Sequence, residues 1–207
     1  MKIVVLEDGN LEAVAKEAAQ ALKKGGIVIY PTDTLYGIGV NALDETALAK
    51  LRRLKVRQQK KPMSILVPSV AHISRYGHLT DTARAIAERH LPGGLTLVLP
   101  ATKHAPRDVS LNDAIGIRVP GDEFCRALSE AFDGPITATS ANRAGLTTPH
   151  DIRSILEHFG QDIEHLSVIV DGGERSGGVS STVVSFVHGE TPRILREGVI
   201  TREELGL

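Results

Sequence analysis

Ile27-Val-Ile-Tyr-Pro-Thr-Asp-Thr-Leu-Tyr-Gly-Ile-Gly39 is the stretch on which the fold turns. Its first four residues are apolar, and three of them are β-branched, as a strand buried inside a layered sheet requires. Pro31 and Gly37 then tighten a turn that carries Asp33 and the hydroxyls of Thr32, Thr34 and Tyr36. A buried strand that opens directly into a polar turn is where α/β sheets usually place a ligand. The same hydroxyls could instead serve only local turn hydrogen bonds.

On either side of this stretch, short β-branched runs alternate with helical patterns, the signature of an α/β layered domain. Lys2 to Leu6 reads as a strand, and Asn10 is placed to cap a helix that runs to about Lys24 and stops at Gly25-Gly26. Asp44 to Val56 is helical, Met63 to Val67 a strand and Thr80 to His90 a helix. Strands follow at Leu95 to Leu99, Ala114 to Val119 and Pro135 to Thr139, with helices at Asp122 to Phe132 and Asp151 to Phe159. Three apolar runs close the chain, Leu166 to Val170, Thr182 to Val187 and Arg193 to Leu195, joined by short glycine-rich connections that favour antiparallel pairing. The expectation is a single α/β domain over residues 1–207, a twisted mixed sheet with flanking helices.

Composition narrows the function. Hydrophobic residues make up 42% and charged residues 24% of 207, enough for one sizeable core. Trp is absent and aromatics are 3%, which speaks against a surface that reads single strands by base stacking. The N-terminus has no signal-peptide h-region and no apolar run approaches a membrane span, so a cytoplasmic location without membrane contact is expected. The single Cys125 sits beside Phe124 and Leu128 as a core residue. Eight dispersed histidines without a His-x-x-x-His or a Cys pair suggest no resident metal site.

Net charge is only -1, yet Lys50 to Lys61 carries seven basic residues and no carboxylate. At about 100° per residue, Ala47, Leu48, Leu51 and Leu54 share an apolar arc, and Lys55 falls inside it. An ammonium on the core side needs a compensating partner. Lys50, Arg52 and Arg53 fall outside, and the segment can be read as an anion site or as a solvated basic face. Three more polar clusters stand at strand ends: Lys55-x-Arg57 with Lys61-Pro62, Thr139-Ser-Ala-Asn142, and Ser180-Ser-Thr182 ahead of Arg196. Small hydroxyls and amides suit phosphate or ribose oxygens. The chain has no phosphate loop with a Gly-Lys-Ser/Thr ending, no complete dinucleotide fingerprint at Gly37-Ile-Gly39, and no Gly-x-Ser-x-Gly around Ser140.

Taken in order, these clusters resemble the YrdC/TsaC family of threonylcarbamoyladenylate synthases. The resemblance rests on Tyr30 to Gly39, Lys55-x-Arg57 with Lys61-Pro62, Pro92-Gly-Gly-Leu-Thr96, Gly116-Ile-Arg-Val-Pro120, Thr139-Ser-Ala-Asn142, and Ser181-Thr182 with Leu195-Arg196, and it spans about Ile27 to Gly198. It implies a sheet curved around a basic concave cavity. It also implies a nucleotidyltransferase reaction, in which L-threonine, bicarbonate and ATP give threonylcarbamoyl-AMP and pyrophosphate for tRNA threonylcarbamoyladenosine modification. By the same resemblance Lys55, Arg57, Ser140 and Asn142 are catalytic and, with Lys61, Ser181 and Arg196, bind ATP. Thr32, Thr34, Tyr36, Arg118 and Thr139 form the threonine and bicarbonate pocket. Magnesium enters with ATP, and a transferase of the TsaD/Kae1 type is an implied downstream partner. The chain is expected to match the short form, without the additional C-terminal domain of longer members, and Leu66 stands where some of those carry a His. Lys61-Pro-Met-Ser-Ile-Leu66 is also similar to the YciO branch, so the alternative is a module that binds double-stranded RNA or tRNA without synthase activity.

Overall fold

The computed structural model describes residues 1–56, 61–143, 145–175, 179–189 and 191–207. Ten strands form one sheet: β1 (Lys2–Val5), β2 (Val28–Tyr30), β3 (Gly37–Gly39), β4 (Ser64–Leu66), β5 (Leu95–Pro100), β6 (Ala114–Arg118), β7 (Ile136–Ser140), β8 (Val168–Asp171), β9 (Thr182–Ser185) and β10 (Arg193–Arg196). Around it lie α1 (Leu11–Lys23), α2 (Glu45–Leu54), α3 (Val70–Tyr76), α4 (Asp81–His90), α5 (Glu123–Phe132), α6 (Ile152–Phe159) and α7 (Arg202–Leu205). The sheet order is β1-β8-β2-β3-β7-β4-β6-β5-β9-β10, with parallel and antiparallel neighbours mixed.

Residue alternation on β2 and its neighbours divides the core in two. Ile27 and Ile29 face one hydrophobic cluster, while Val28 and Tyr30 face another that includes Val14, Ala18 and Leu22 of α1 and Phe124, Leu128 and Phe132 of α5. Both faces of this strand are therefore covered, which is why its sequence is apolar without interruption. Gly37-Ile-Gly39, which lies inside the polar turn by sequence, is itself a strand pairing with β2 and β7. Its glycines are steric: a Cβ on Gly39 would stand 2.5 Å from the Thr137 carbonyl oxygen, and one on Gly37 would stand 2.5 Å from the Tyr30 ring.

Several expectations change. Asn10 does not cap α1; its side chain accepts from Glu7 N–H at 3.0 Å and donates to the Val5 carbonyl at 3.0 Å, bracing the turn from β1. In contrast, Asp44, Thr80, Asp122 and Asp151 each cap the helix that follows. The closing runs do not form one antiparallel set. β8 pairs parallel with β1 and β2, whereas β9 pairs parallel with β5 and antiparallel with β10. Separate positions in the sheet keep β8 and β9 apart, and Ser180 and Ser181 just before β9 line the cavity. Among the described residues no helix is long and apolar enough to cross a membrane.

Candidate active site

A cavity of about 610 Å³ opens among these strand ends. Tyr30, Thr32, Thr34 and Tyr36 line it from β2 and the turn beyond, and Thr139 and Ser140 from the end of β7. Lys61, Arg118 and Arg196 bring cations to its wall, with Ser181 beside them. No aspartate or glutamate is among the described residues that line it. The concave site is thus basic and rich in hydroxyls.

The turn after β2 is built by Thr32, whose Oγ1 accepts from the N–H groups of Thr34 and Leu35 at 3.0 and 3.1 Å. Thr32 is thereby committed to local geometry, while Thr34 Oγ1 accepts from Arg118 Nη1 at 3.3 Å. Arg118, at the end of β6, also donates to Gly93 O at 3.3 Å and pairs with Asp33, whose other oxygen accepts from Gly121 N–H at 3.2 Å. Asp33 fixes the guanidinium in place and offsets part of its charge.

Lys55 caps the C-terminus of α2 and is 1% exposed. The sequence reading sends Lys55 and Asn142 to a triphosphate; in the structure neither lines the cavity. The Lys55 ammonium donates to the carbonyl oxygens of Ser140 and Asn142, the latter at 2.6 Å, and lies 3.5 Å from Asn142 Oδ1. These acceptors are the compensation that a buried cation needs. Asn142 Oδ1 also accepts from Ser140 Oγ, and its amide nitrogen donates to the carbonyls of Arg143 and Leu146. The pair therefore fixes the backbone turn that presents Ser140 to the cavity. Arg57 lies outside the described residues. Of the other cations in this segment, Arg52 donates to the Asp108 carbonyl, and Lys50 and Arg53 are exposed.

Ser181 shares a hydrogen bond of 2.9 Å with Thr96, and Arg196 donates to the Ser181 carbonyl at 2.8 Å and to its hydroxyl at 3.2 Å. Burial, reinforced by the positive field of Arg118, draws the Arg196 pKa below its usual range. Two guanidinium groups facing one cavity repel each other, and an anion between them removes that cost.

A strap of residues 171–175 packs on the Thr32–Tyr36 turn of the cavity wall. Tyr36 donates its phenol hydrogen to Gly173 O at 2.7 Å and accepts from Gly172 N–H at 3.0 Å. Burial pushes its pKa up to about 12. Arg175 donates to Gly172 O and reaches Thr32 O and Asp122 Oδ2, each at 3.4 Å. Asp122, which caps α5, has its pKa raised chiefly by burial despite that guanidinium.

The sequence reading missed Ser64, Thr96, Thr147, Thr148 and His150 on the cavity wall. The available signal was Leu146-Thr-Thr-Pro-His150, a polar loop between a strand end and the Asp151 cap. Leu66 lines the cavity with an apolar surface and is 2% exposed.

Fold and cavity together define an α/β protein with a basic, hydroxyl-rich cavity at its strand ends. The Sua5/YciO/YrdC family model, described as "Telomere recombination", matches residues 20–198. The chain belongs to the Sua5/YciO/YrdC family. It is 36% identical over 190 residues to the threonylcarbamoyl-AMP synthase of Pyrococcus abyssi, covering 91% of this chain and 55% of that one. A crystal structure of P. abyssi Sua5 complexed with L-threonine superposes with a TM-score of 0.88 at 33% identity, covering 99% of this chain and 59% of that one. The chain thus spans little more than half the length of this relative. A Methanocaldococcus jannaschii protein that carries the synthase name provisionally is 34% identical over 207 residues, covering 99% of this chain and 95% of its own. The crystal structure of Escherichia coli YciO gives a TM-score of 0.84 at 26% identity, covering 96% of this chain and 95% of that one.

Proposed function

We propose that this chain is a threonylcarbamoyl-AMP synthase, making that adenylate and pyrophosphate from L-threonine, bicarbonate and ATP. The carrying observation is the cavity shared by Arg118 and Arg196, walled with hydroxyls and free of lining carboxylates among the described residues, in a family whose P. abyssi member has been crystallised with L-threonine. In this reading Arg118, Thr34 and Thr139 receive the threonine carboxylate and the incoming bicarbonate. Ser140 turns its hydroxyl hydrogen from Asn142 Oδ1 to the reacting α-phosphate, Arg196 and Ser181 hold the adenylate side, and Lys61 with Arg57 neutralises the β- and γ-phosphates. Lys55 and Asn142 act through Ser140, by holding its turn.

Threonine carbamate is itself the oxygen nucleophile. Its oxygen attacks the α-phosphorus, a P–O bond forms, and the bond to pyrophosphate breaks. No covalent intermediate on the protein is needed, and the chain contributes alignment and charge neutralisation. Magnesium enters as part of the Mg-ATP substrate, bound to phosphate oxygens, which suits a wall offering hydroxyls and carbonyls in place of carboxylates.

The test is pyrophosphate release measured with mass detection of the adenylate. Release should require threonine, bicarbonate and ATP together; release at the same rate without threonine, or none with all three, removes the assignment.

A further inference from the structure

His150 belongs to no motif that the sequence reading used, yet it lines the cavity. The other titratable side chains among the described lining residues are the cations Lys61, Arg118 and Arg196 and the phenols Tyr30 and Tyr36. Both phenols have their hydrogens engaged, Tyr30 on Thr137 O at 3.1 Å and Tyr36 on Gly173 O at 2.7 Å, and burial raises both pKa values. Among the described lining residues, the imidazole of His150 is the one side chain other than the cations and phenols that can take up a proton on a ring nitrogen.

The tautomer of His150 follows from its partner. Nδ1 lies 2.9 Å from the Arg175 carbonyl oxygen, which can only accept, so Nδ1 carries the hydrogen. The neutral ring then leaves its lone pair on Nε2. Arg175 N–H donates in return to the His150 carbonyl at 2.9 Å, so two hydrogen bonds pin the loop to the strap. The Arg175 guanidinium continues to Thr32 O at 3.4 Å, so one residue links the His150 loop to the Thr32 turn on the same cavity.

Resting on the synthase reading above, we propose that His150 Nε2 is the proton acceptor for the amino group of threonine. An ammonium has no lone pair and cannot attack a carbonate carbon. One N–H proton passes to Nε2, the freed amine attacks the carbon of bicarbonate, the N–C bond forms, and water leaves as the carbamate anion is completed. The imidazolium returns its proton to solvent. The charged groups around His150 are Arg175 with Asp122 behind it, Asp151 next in the chain and held on Ser154, Asp171 held on Gly173 N–H, and the cavity cations Lys61, Arg118 and Arg196.

His150→Asn tests this, because the asparagine amide nitrogen replaces Nδ1 toward the Arg175 carbonyl and removes Nε2. The expected result is a fall of at least tenfold in kcat at pH 7, a threonine KM within about twofold of wild type, and loss of the acid limb of the kcat profile between about pH 5 and 8. The thermal midpoint should match wild type, and His150→Ala should lose both activity and thermal stability. A His150→Asn variant with wild-type kcat and an intact acid limb overturns the proposal and leaves His150 as a strap residue. A wild-type protein without threonine-dependent pyrophosphate release overturns the synthase reading and this inference with it.

Discussion

Lys55 and Arg196 carry the same charge and belong to polar clusters around the same cavity, yet the fold uses them differently. Lys55 is buried on backbone carbonyls of Ser140 and Asn142, so its charge stabilises a turn. Arg196 lies on the cavity wall, held by Ser181 and facing the field of Arg118. The first belongs to the frame and the second to the cavity wall. Basic character in a sequence does not separate these two uses, because the difference lies in which acceptors the chain brings within 3 Å.

The largest expected effect comes from the frame. Lys55→Met keeps the volume but removes the ammonium from the buried Asn142 carbonyl and leaves the Ser140 carbonyl with the Asn142 N–H alone, and it should lower unfolding free energy by about 3 kcal/mol in a denaturant titration. Activity should fall with it, because the Ser140 turn loosens. Full stability with lost pyrophosphate release would break the comparison and move Lys55 to the binding surface.

Arg196→Gln should do the reverse. Loss of a charge-assisted contact to phosphate, about 1.5–3 kcal/mol, predicts a fall of about tenfold to a hundredfold in kcat/KM for ATP. Stability should change by less than about 1 kcal/mol, since relief of the Arg118 repulsion offsets the lost bonds to Ser181. A large stability loss with unchanged ATP kinetics would place Arg196 in the frame.

The smallest effect sharpens the frame side. Tyr36 has a folded pKa of about 12 against an ordinary value of 10.0, so the unfolded chain loses its phenol proton first as pH rises. The stability contributed by neutral Tyr36 is complete below about pH 10 and is lost as pH climbs toward 12. Tyr36→Phe should remove that component, so stability profiles of the two proteins should converge above about pH 10. Parallel profiles across that range would mean that burial does not hold the Tyr36 phenol in its neutral form.

Much of the architecture was legible. Ile27 to Tyr30 announced a strand covered on both faces, and the helices expected from Asp44, Thr80, Asp122 and Asp151 begin there on capping side chains, whereas the cap expected at Asn10 is absent. The Thr201-x-x-Glu204 capping box was equally readable yet α7 was passed over, its four residues being too short to show periodicity. Gly37–Gly39 read as turn because glycine disfavours strands; close approach to Thr137 and Tyr30 overrides that preference. For the site, the ordered clusters located Thr34, Ser140, Ser181 and Arg196 on the cavity wall, while His150 stayed hidden in a loop without a motif.

By itself the sequence determined what depends on near neighbours: where most helices begin, strand burial, tight turns, and the ordered motifs that mark the family. The tertiary structure alone decided that Lys55 would meet carbonyls at Ser140 and Asn142, that β8 and β9 would enter the sheet at separate places, and that His150 would face the strap through Arg175. The reason is physical. Periodicity and capping follow from backbone geometry over a few residues, whereas a buried ammonium or imidazole is satisfied by whichever distant acceptor the topology delivers.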